Sequence, residues 1–148
     1  MIKTSYTAIV PYETLDGSEI RELMHPQQHG NRHQSLAEAI VPAGQHTKLH
    51  LHRKSEELYH VTAGSGWVWL SDQWVKIQAG DTICILPGTP HCVVADQGAT
   101  LRILCCCSPA YRHEDTEVIE MAEWLPLPFT GVLPPHAETE AQDGRHGF

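Results

Sequence analysis

A chain of 148 residues, 41% hydrophobic and 19% charged, is long enough to bury one core and short for two domains. Its formal charge of -8 comes with no Lys/Arg stripe that could neutralise phosphates, which argues against nucleic acid as a partner. Five cysteines, odd in number and three of them consecutive, argue against a secreted disulfide framework, and no run approaches the roughly eighteen apolar residues of a membrane helix.

The start, Met1-Ile2-Lys3-Thr4-Ser5-Tyr6, lacks a basic region followed by an apolar run, so a soluble cytoplasmic protein is expected, with no membrane partner. Residues 1–34 read as an approach segment: a strand from Tyr6 to Tyr12, a turn at Asp16-Gly17-Ser18, then a short strand or helical turn from Ile20 to Met24. From 35 to 108 short alternating runs are punctuated by Gly and Pro. They predict strands over 35–41, 46–52, 57–63, 66–71, 74–78, 82–86, 91–95 and 100–107, with no helical period. Eight short strands predict an all-β, antiparallel jelly-roll barrel. Cys105-Cys106-Cys107 continues the last strand, where Cys acts as a small hydrophobe. Residues 109–148 form an irregular extension with Pro109, Pro126, Pro128, Pro134 and Pro135, one short helix from Glu117 to Trp124 and a mobile acidic tail. From Arg112 onward eight acidic and two basic residues give -6, leaving only -2 for residues 1–111.

His50-Leu51-His52 is the most informative feature. On a strand the two imidazoles share a face with Leu51 turned away. Glu57 follows the polar stretch Arg53-Lys54-Ser55, suited to a turn that folds its carboxylate back beside the pair. His91 closes Leu86-Pro87-Gly88-Thr89-Pro90-His91, a stiff turn that delivers one imidazole at a fixed place. Three imidazoles and a carboxylate suit one divalent transition metal (Fe, Mn, Ni, Zn or Cu) better than Mg or Ca.

Glycines make the pattern more specific. Gly44 lies six residues before His50, Gly64 seven after Glu57 and Gly80 eleven before His91. Here the sequence resembles the cupin superfamily, the small single-domain type with a metal-binding barrel. Gly44, His50, His52, Glu57 and Gly64 match its first motif, and Gly80, Gly88 and His91 its second; Leu86 and Ala95 replace a proline and an asparagine of that motif. The resemblance covers residues 35–108. It implies a double-stranded β-helix with His50, His52, Glu57 and His91 as metal ligands and with pairing of two copies through a sheet face.

Parity assigns further residues. If His50 and His52 face inward, His46 and Lys48 do too, making Lys48 a candidate substrate-anchoring cation. Tyr59 shares the face of Glu57, and both are candidate catalytic groups. Val61, Val68, Leu70, Ile83, Ile85, Val93 and Leu101 or Arg102 complete the predicted interior. Glu38 interrupts an apolar strand as a candidate base or a solvated outer residue, and Tyr111 to Asp115 is a candidate lid. The resemblance turns Val68 and Leu70 inward, so Trp67, Trp69 and Trp74 are expected on an outer face that pairs two copies into a homodimer, or lies under a terminal segment.

The function expected is a metalloenzyme acting on a small polar or anionic metabolite by Lewis-acid proton transfer, of isomerase, epimerase or lyase type. Family precedent also offers an iron-dependent dioxygenase and a non-catalytic small-ligand binding or sensing module.

Overall fold

The computed structural model describes residues 1–120. Its architecture follows from the alternation of apolar and polar residues along eleven strands. These are β1 (Tyr12–Glu13), β2 (Glu19–Met24), β3 (Ser35–Val41), β4 (His50–His52), β5 (Glu56–Ala63), β6 (Ser65–Leu70), β7 (Gln73–Gln78), β8 (Thr82–Ile85), β9 (His91–Ala95), β10 (Leu101–Ser108) and β11 (Thr116–Val118). A six-stranded antiparallel sheet runs β1-β2-β3-β10-β5-β8 and a five-stranded one runs β11-β4-β9-β6-β7. Together they make the jelly-roll barrel that the strand pattern predicts.

Strand β5 shows the cause. Glu57, Tyr59 and Val61 are buried while Glu56, Leu58, His60 and Thr62 are exposed, the signature of one face against a core. Strand β10 repeats it, with Leu101, Ile103, Cys105 and Cys107 inward. Val61, Val68, Ile85, Val93, Leu101 and Ile103, none more than 2% exposed, form the apolar floor that holds the sheets together. Of the alternatives at the end of the core strand, Leu101 faces in and Arg102 faces out, where it pairs with Glu38 at 2.8 Å. Glu38 also accepts from Tyr6 Oη at 2.6 Å, so it is an outer-face carboxylate covered by the N-terminal segment and not a base in the cavity.

The predicted strands 35–41 and 91–95 coincide with β3 and β9. The predicted strand 46–52 does not persist: only 50–52 is strand, and His46 makes an isolated bridge to Val94. Tertiary contact overrides propensity here, since Lys48 donates its backbone N–H to Asp16 O at 2.7 Å and Thr47 donates to Val93 O at 2.9 Å. The stretch Tyr6–Tyr12 is a 3-10 turn at Tyr6–Ala8 followed by β1 rather than one strand. The helix predicted from Glu117 begins instead in β11, pinned antiparallel to β4; its last residues and the acidic tail lie outside the described residues.

The tryptophan face also differs from expectation. Val68 and Leu70 do face the core, but Trp69 is 7% exposed, buried with Leu49 and Cys92 and packed by Trp74 and Ile119. Ile119 is held there by its N–H to Leu49 O at 2.8 Å. Lys76 Nζ lies 5.0 Å over the Trp67 ring. Trp69 is therefore not on an open face, and the expectation that Trp67, Trp69 and Trp74 together form an exposed pairing surface is not supported. Among the described residues no helix is long and apolar enough to cross a membrane.

Candidate metal centre

Strands β4 and β9 pair with His50 directly opposite His91, which brings the two imidazole centroids to 4.2 Å. His52, two residues on, lies on the same face at 5.3 Å from His50 and 5.5 Å from His91. Glu57 enters from β5 of the other sheet. Its Oε2 is 3.1 Å from His52 Nε2 and 3.2 Å from His91 Nε2. One ligand atom from each of the four lies within 4.8 Å of the others, and no member is more than 5% exposed.

The turn that aims Glu57 is built by a residue whose role the motif does not announce. Asp115 Oδ2 accepts the backbone N–H groups of Lys54 at 3.2 Å and Ser55 at 3.0 Å. The turn that aims His91 holds with Leu86 at the motif's proline position: Gly88, at φ 77°, donates to His52 O at 2.7 Å and Thr89 donates to Leu86 O at 3.2 Å.

Each imidazole is oriented through its other nitrogen. Nδ1 of His50 meets Lys48 O at 2.9 Å, Nδ1 of His91 meets Thr89 O at 2.9 Å, and Nδ1 of His52 meets Thr116 Oγ1 at 3.0 Å. Carbonyl oxygens only accept, and Thr116 spends its hydroxyl proton on Arg112 O at 2.9 Å. All three rings therefore carry a proton on Nδ1 and turn Nε2 inward, the arrangement metal-ligating histidines adopt.

The residues fit a metal ion on an independent observation as well. His91 Nε2 is fully buried and has no hydrogen-bond partner, although Glu57 Oε2 lies 3.2 Å away. A cation at the centre of the four groups satisfies that orphan. Burial pushes the Glu57 carboxyl up, but the His52 and His91 imidazoles beside it outweigh this and hold Glu57 far below the usual range. Burial pulls His52 down, and the bond and charge of Glu57 more than offset this, so His52 titrates high. His50 is lowered, by burial and then by His91. Cys107 Sγ donates to Glu57 Oε1 at 3.5 Å, and burial followed by the Glu57 charge keeps that thiol protonated.

A cavity opens beside the four ligands and is walled by β1, β2, β3, β5 and β10 together with Tyr111 and Thr116. Tyr59 lines it, its ring centroid 5.8 Å from that of His91, and burial then the Glu57 charge raise its hydroxyl well above the usual range. Lys48 does not line it: because the chain before His50 is not regular strand, Thr47 takes the inward place. Lys48 sits with His46 and Glu19 in a separate surface depression. Tyr111, from the expected lid, lies edge-on to His52 at 5.7 Å, tied down by its N–H to Ser35 Oγ at 2.9 Å.

Two acidic wall residues went unrecognised in the sequence. Asp16 Oδ1 accepts from Ser18 N at 3.0 Å, from Ser18 Oγ at 2.7 Å and from Thr14 Oγ1, while Oδ2 stands 3.9 Å from His50 Nε2. Burial pushes Asp16 up, but the His50 charge and these hydrogen bonds lower it overall. Glu22, 3% exposed, accepts from Tyr12 Oη at 3.2 Å. Burial pushes its carboxyl up to about 7. The alternation Ile20, Glu22 within β2 was the available signal.

Glu22 makes the fold pH-sensitive. Between its ordinary 4.5 and the folded value of about 7 the folded state holds the extra proton, so stability falls as pH rises through that window. The loss, complete above it, is up to about 3 kcal/mol. Glu22→Gln is expected to flatten this profile, read as a higher denaturation midpoint than the parent at pH 8 and a similar one at pH 5.

The comparisons agree with this fold. The Cupin domain family model matches residues 37–107. The uncharacterized protein MJ1618 of Methanocaldococcus jannaschii is 50% identical over 120 residues, covering 81% of this chain and 96% of that protein. Among solved structures, the polyketide cyclase RemF of Streptomyces resistomycificus superposes with a TM-score of 0.69 at 22% identity, over 83% of this chain and 88% of RemF. Streptomyces Pac13 bound to uridine gives 0.66 at 14% identity, over 80% of this chain and 91% of Pac13, a protein described as a nucleoside dehydratase. A two-sheet barrel with three histidines and a glutamate gathered on inward strand faces defines the class. Over residues 37–107 the chain belongs to the cupin superfamily.

Proposed function

We propose that the protein is a metal-dependent enzyme that moves a proton on a small oxygenated metabolite, an isomerase, epimerase or lyase. The observation that carries this reading is the wall of the cavity beside the cluster of three histidines and one glutamate. Among walls that are otherwise mostly apolar, Tyr12, Thr14, Asp16, Glu22, Tyr59 and Tyr111 place several hydroxyls and carboxyls that can engage substrate oxygens. Bound by His50, His52, Glu57 and His91, a divalent ion would supply Lewis-acid polarisation of a substrate oxygen.

The chain's own groups divide the remaining work. Glu57, ionised and engaged through both oxygens, serves as a ligand and makes a poor base. Tyr59 stays protonated and donates a hydrogen bond to a substrate oxygen. Asp16 presents Oδ2 to the imidazole cluster and is the wall group positioned to take a proton. Tyr111 closes the side near His52 and excludes water.

The test is incubation of metal-loaded protein in deuterated water with hydroxy acids, sugars and diketones, following oxygen uptake and deuterium at carbon. Deuterium incorporation without oxygen uptake is expected. Iron-dependent uptake would instead establish the dioxygenase, and no exchange or turnover with any compound would leave a binding or sensing module.

A further inference from the structure

Strand register lays out the cavity floor. Across the larger sheet Glu22 pairs with Ala37, Ala37 with Cys105, and Cys105 with Tyr59, all four facing inward. Two small residues thus separate Glu22 from Tyr59, over three strand spacings or about 14 Å between backbones in a flat sheet. The next inward row, Ile20, Ala39, Ile103 and Val61, is bulkier and closes that side. A slot results, with His50, His52, Glu57 and Tyr59 at one end and Glu22 with Tyr12 at the other.

The slot is acidic. Asp16, Glu22 and Glu57 line it, and among the described residues no Lys or Arg does. Glu22 is 3% exposed, and its Oε1 has no hydrogen-bond partner although Oε2 takes the Tyr12 hydroxyl. A buried acceptor without a donor is costly unless a ligand supplies one.

Resting on the reading of this cavity as the substrate site, we infer that Glu22 is a specificity-determining residue: it receives a hydroxyl or amino donor at the substrate end remote from the metal ligands. The substrate class is then a molecule whose remote end is a neutral polyol-like or amine-bearing group, and a phosphate or other anion at that end is rejected by Glu22. Burial strengthens both the attraction and the rejection, because neither charge is screened by water. The raised titration of Glu22 adds that it can meet a donor as an anion or an acceptor as an acid near neutrality.

The experiment uses three probes with the same carbon chain and different ends: ribitol, 1-amino-1-deoxyribitol and ribitol 5-phosphate. Binding is read by ligand-observed saturation-transfer NMR at mildly alkaline pH, with metal content measured on the same samples. We expect the amine to bind at least about tenfold more tightly than ribitol and the phosphate to bind weakest. In Glu22→Gln the amine preference should shrink to near unity with metal content unchanged. The inference is overturned if the phosphate binds tightest, if the amine preference survives Glu22→Gln, or if no probe binds. Failure of the metal reading looks different: a sample without metal that still shows the preference and its loss in Glu22→Gln upholds Glu22 and removes the metal.

Discussion

Replacing His91 with Ala is expected to lower metal content from about one equivalent per chain to less than about a tenth after dialysis against a weak chelator. His91 is fully buried, stands opposite His50 in the sheet, and is held by Thr89 so that its orphaned Nε2 points at the other ligands. A methyl group in its place leaves two imidazoles and a carboxylate that has lost one of its two imidazole neighbours. His50→Ala should behave the same way. Thr116→Val should be milder, because it leaves all four ligands and removes the acceptor that orients His52, together with the bond to Arg112 O, a loss of about 10- to 100-fold in metal affinity. Elemental analysis and a competition titration separate the two grades. Metal retained at full stoichiometry by both His→Ala variants would remove the site. Acidification should act in the same direction: a proton competes for Nε2 of His52, which Glu57 holds at a raised titration point, so affinity falls as pH drops through that point.

The part of this site legible in the sequence is the part that strand periodicity controls. His50 and His52 share a face because a strand repeats every two residues, and Glu57, Tyr59 and Val61 follow the same rule on β5. Lys48 broke the rule for a reason outside its own strand. Its N–H is taken by Asp16 O, which bends 46–49 out of regular pairing and exchanges Lys48 for Thr47 at the cavity wall. Trp69 likewise looks exposed from its own strand and is buried with Leu49 and Cys92, with Ile119, fifty residues away in sequence, packed against them. Glu22 escaped notice because one carboxylate in a short N-terminal strand reads as solvated. Only its register against Ala37, itself paired with Cys105, carries it over the cavity. What failed in each case was a long-range contact, and the corrections at Lys48 and Glu22 together replace an ammonium at the cavity with a carboxylate.

Gly64→Ala is expected to destabilise the fold by about 3 kcal/mol or more, enough to be lethal to a marginal domain. Gly64 has φ +78°, which costs a residue with a Cβ about 1–2 kcal/mol. It also has no room: a Cβ there would lie 2.3 Å from Thr100 O and 3.0 Å from Leu101 Cα. Those are backbone atoms at the entry to β10, and Leu101 is 0% exposed, so relief requires moving a core strand. Gly80→Ala is the control. It too has positive φ, +98°, but nothing lies within 4 Å of the added carbon, so only the conformational cost of about 1–2 kcal/mol applies. Denaturant midpoints of the two variants, at unchanged slope, give the difference. If Gly64→Ala costs no more than Gly80→Ala, close approach is not what the position demands. If it costs more, the motif glycine has a structural reason tied to the site. Gly64 directly follows the strand that carries Glu57 and Tyr59, and Thr100 directly precedes the strand that carries Cys105 and Cys107. The distance between those two strands sets how closely Cys107 approaches Glu57 and how wide the slot beneath Tyr59 can be.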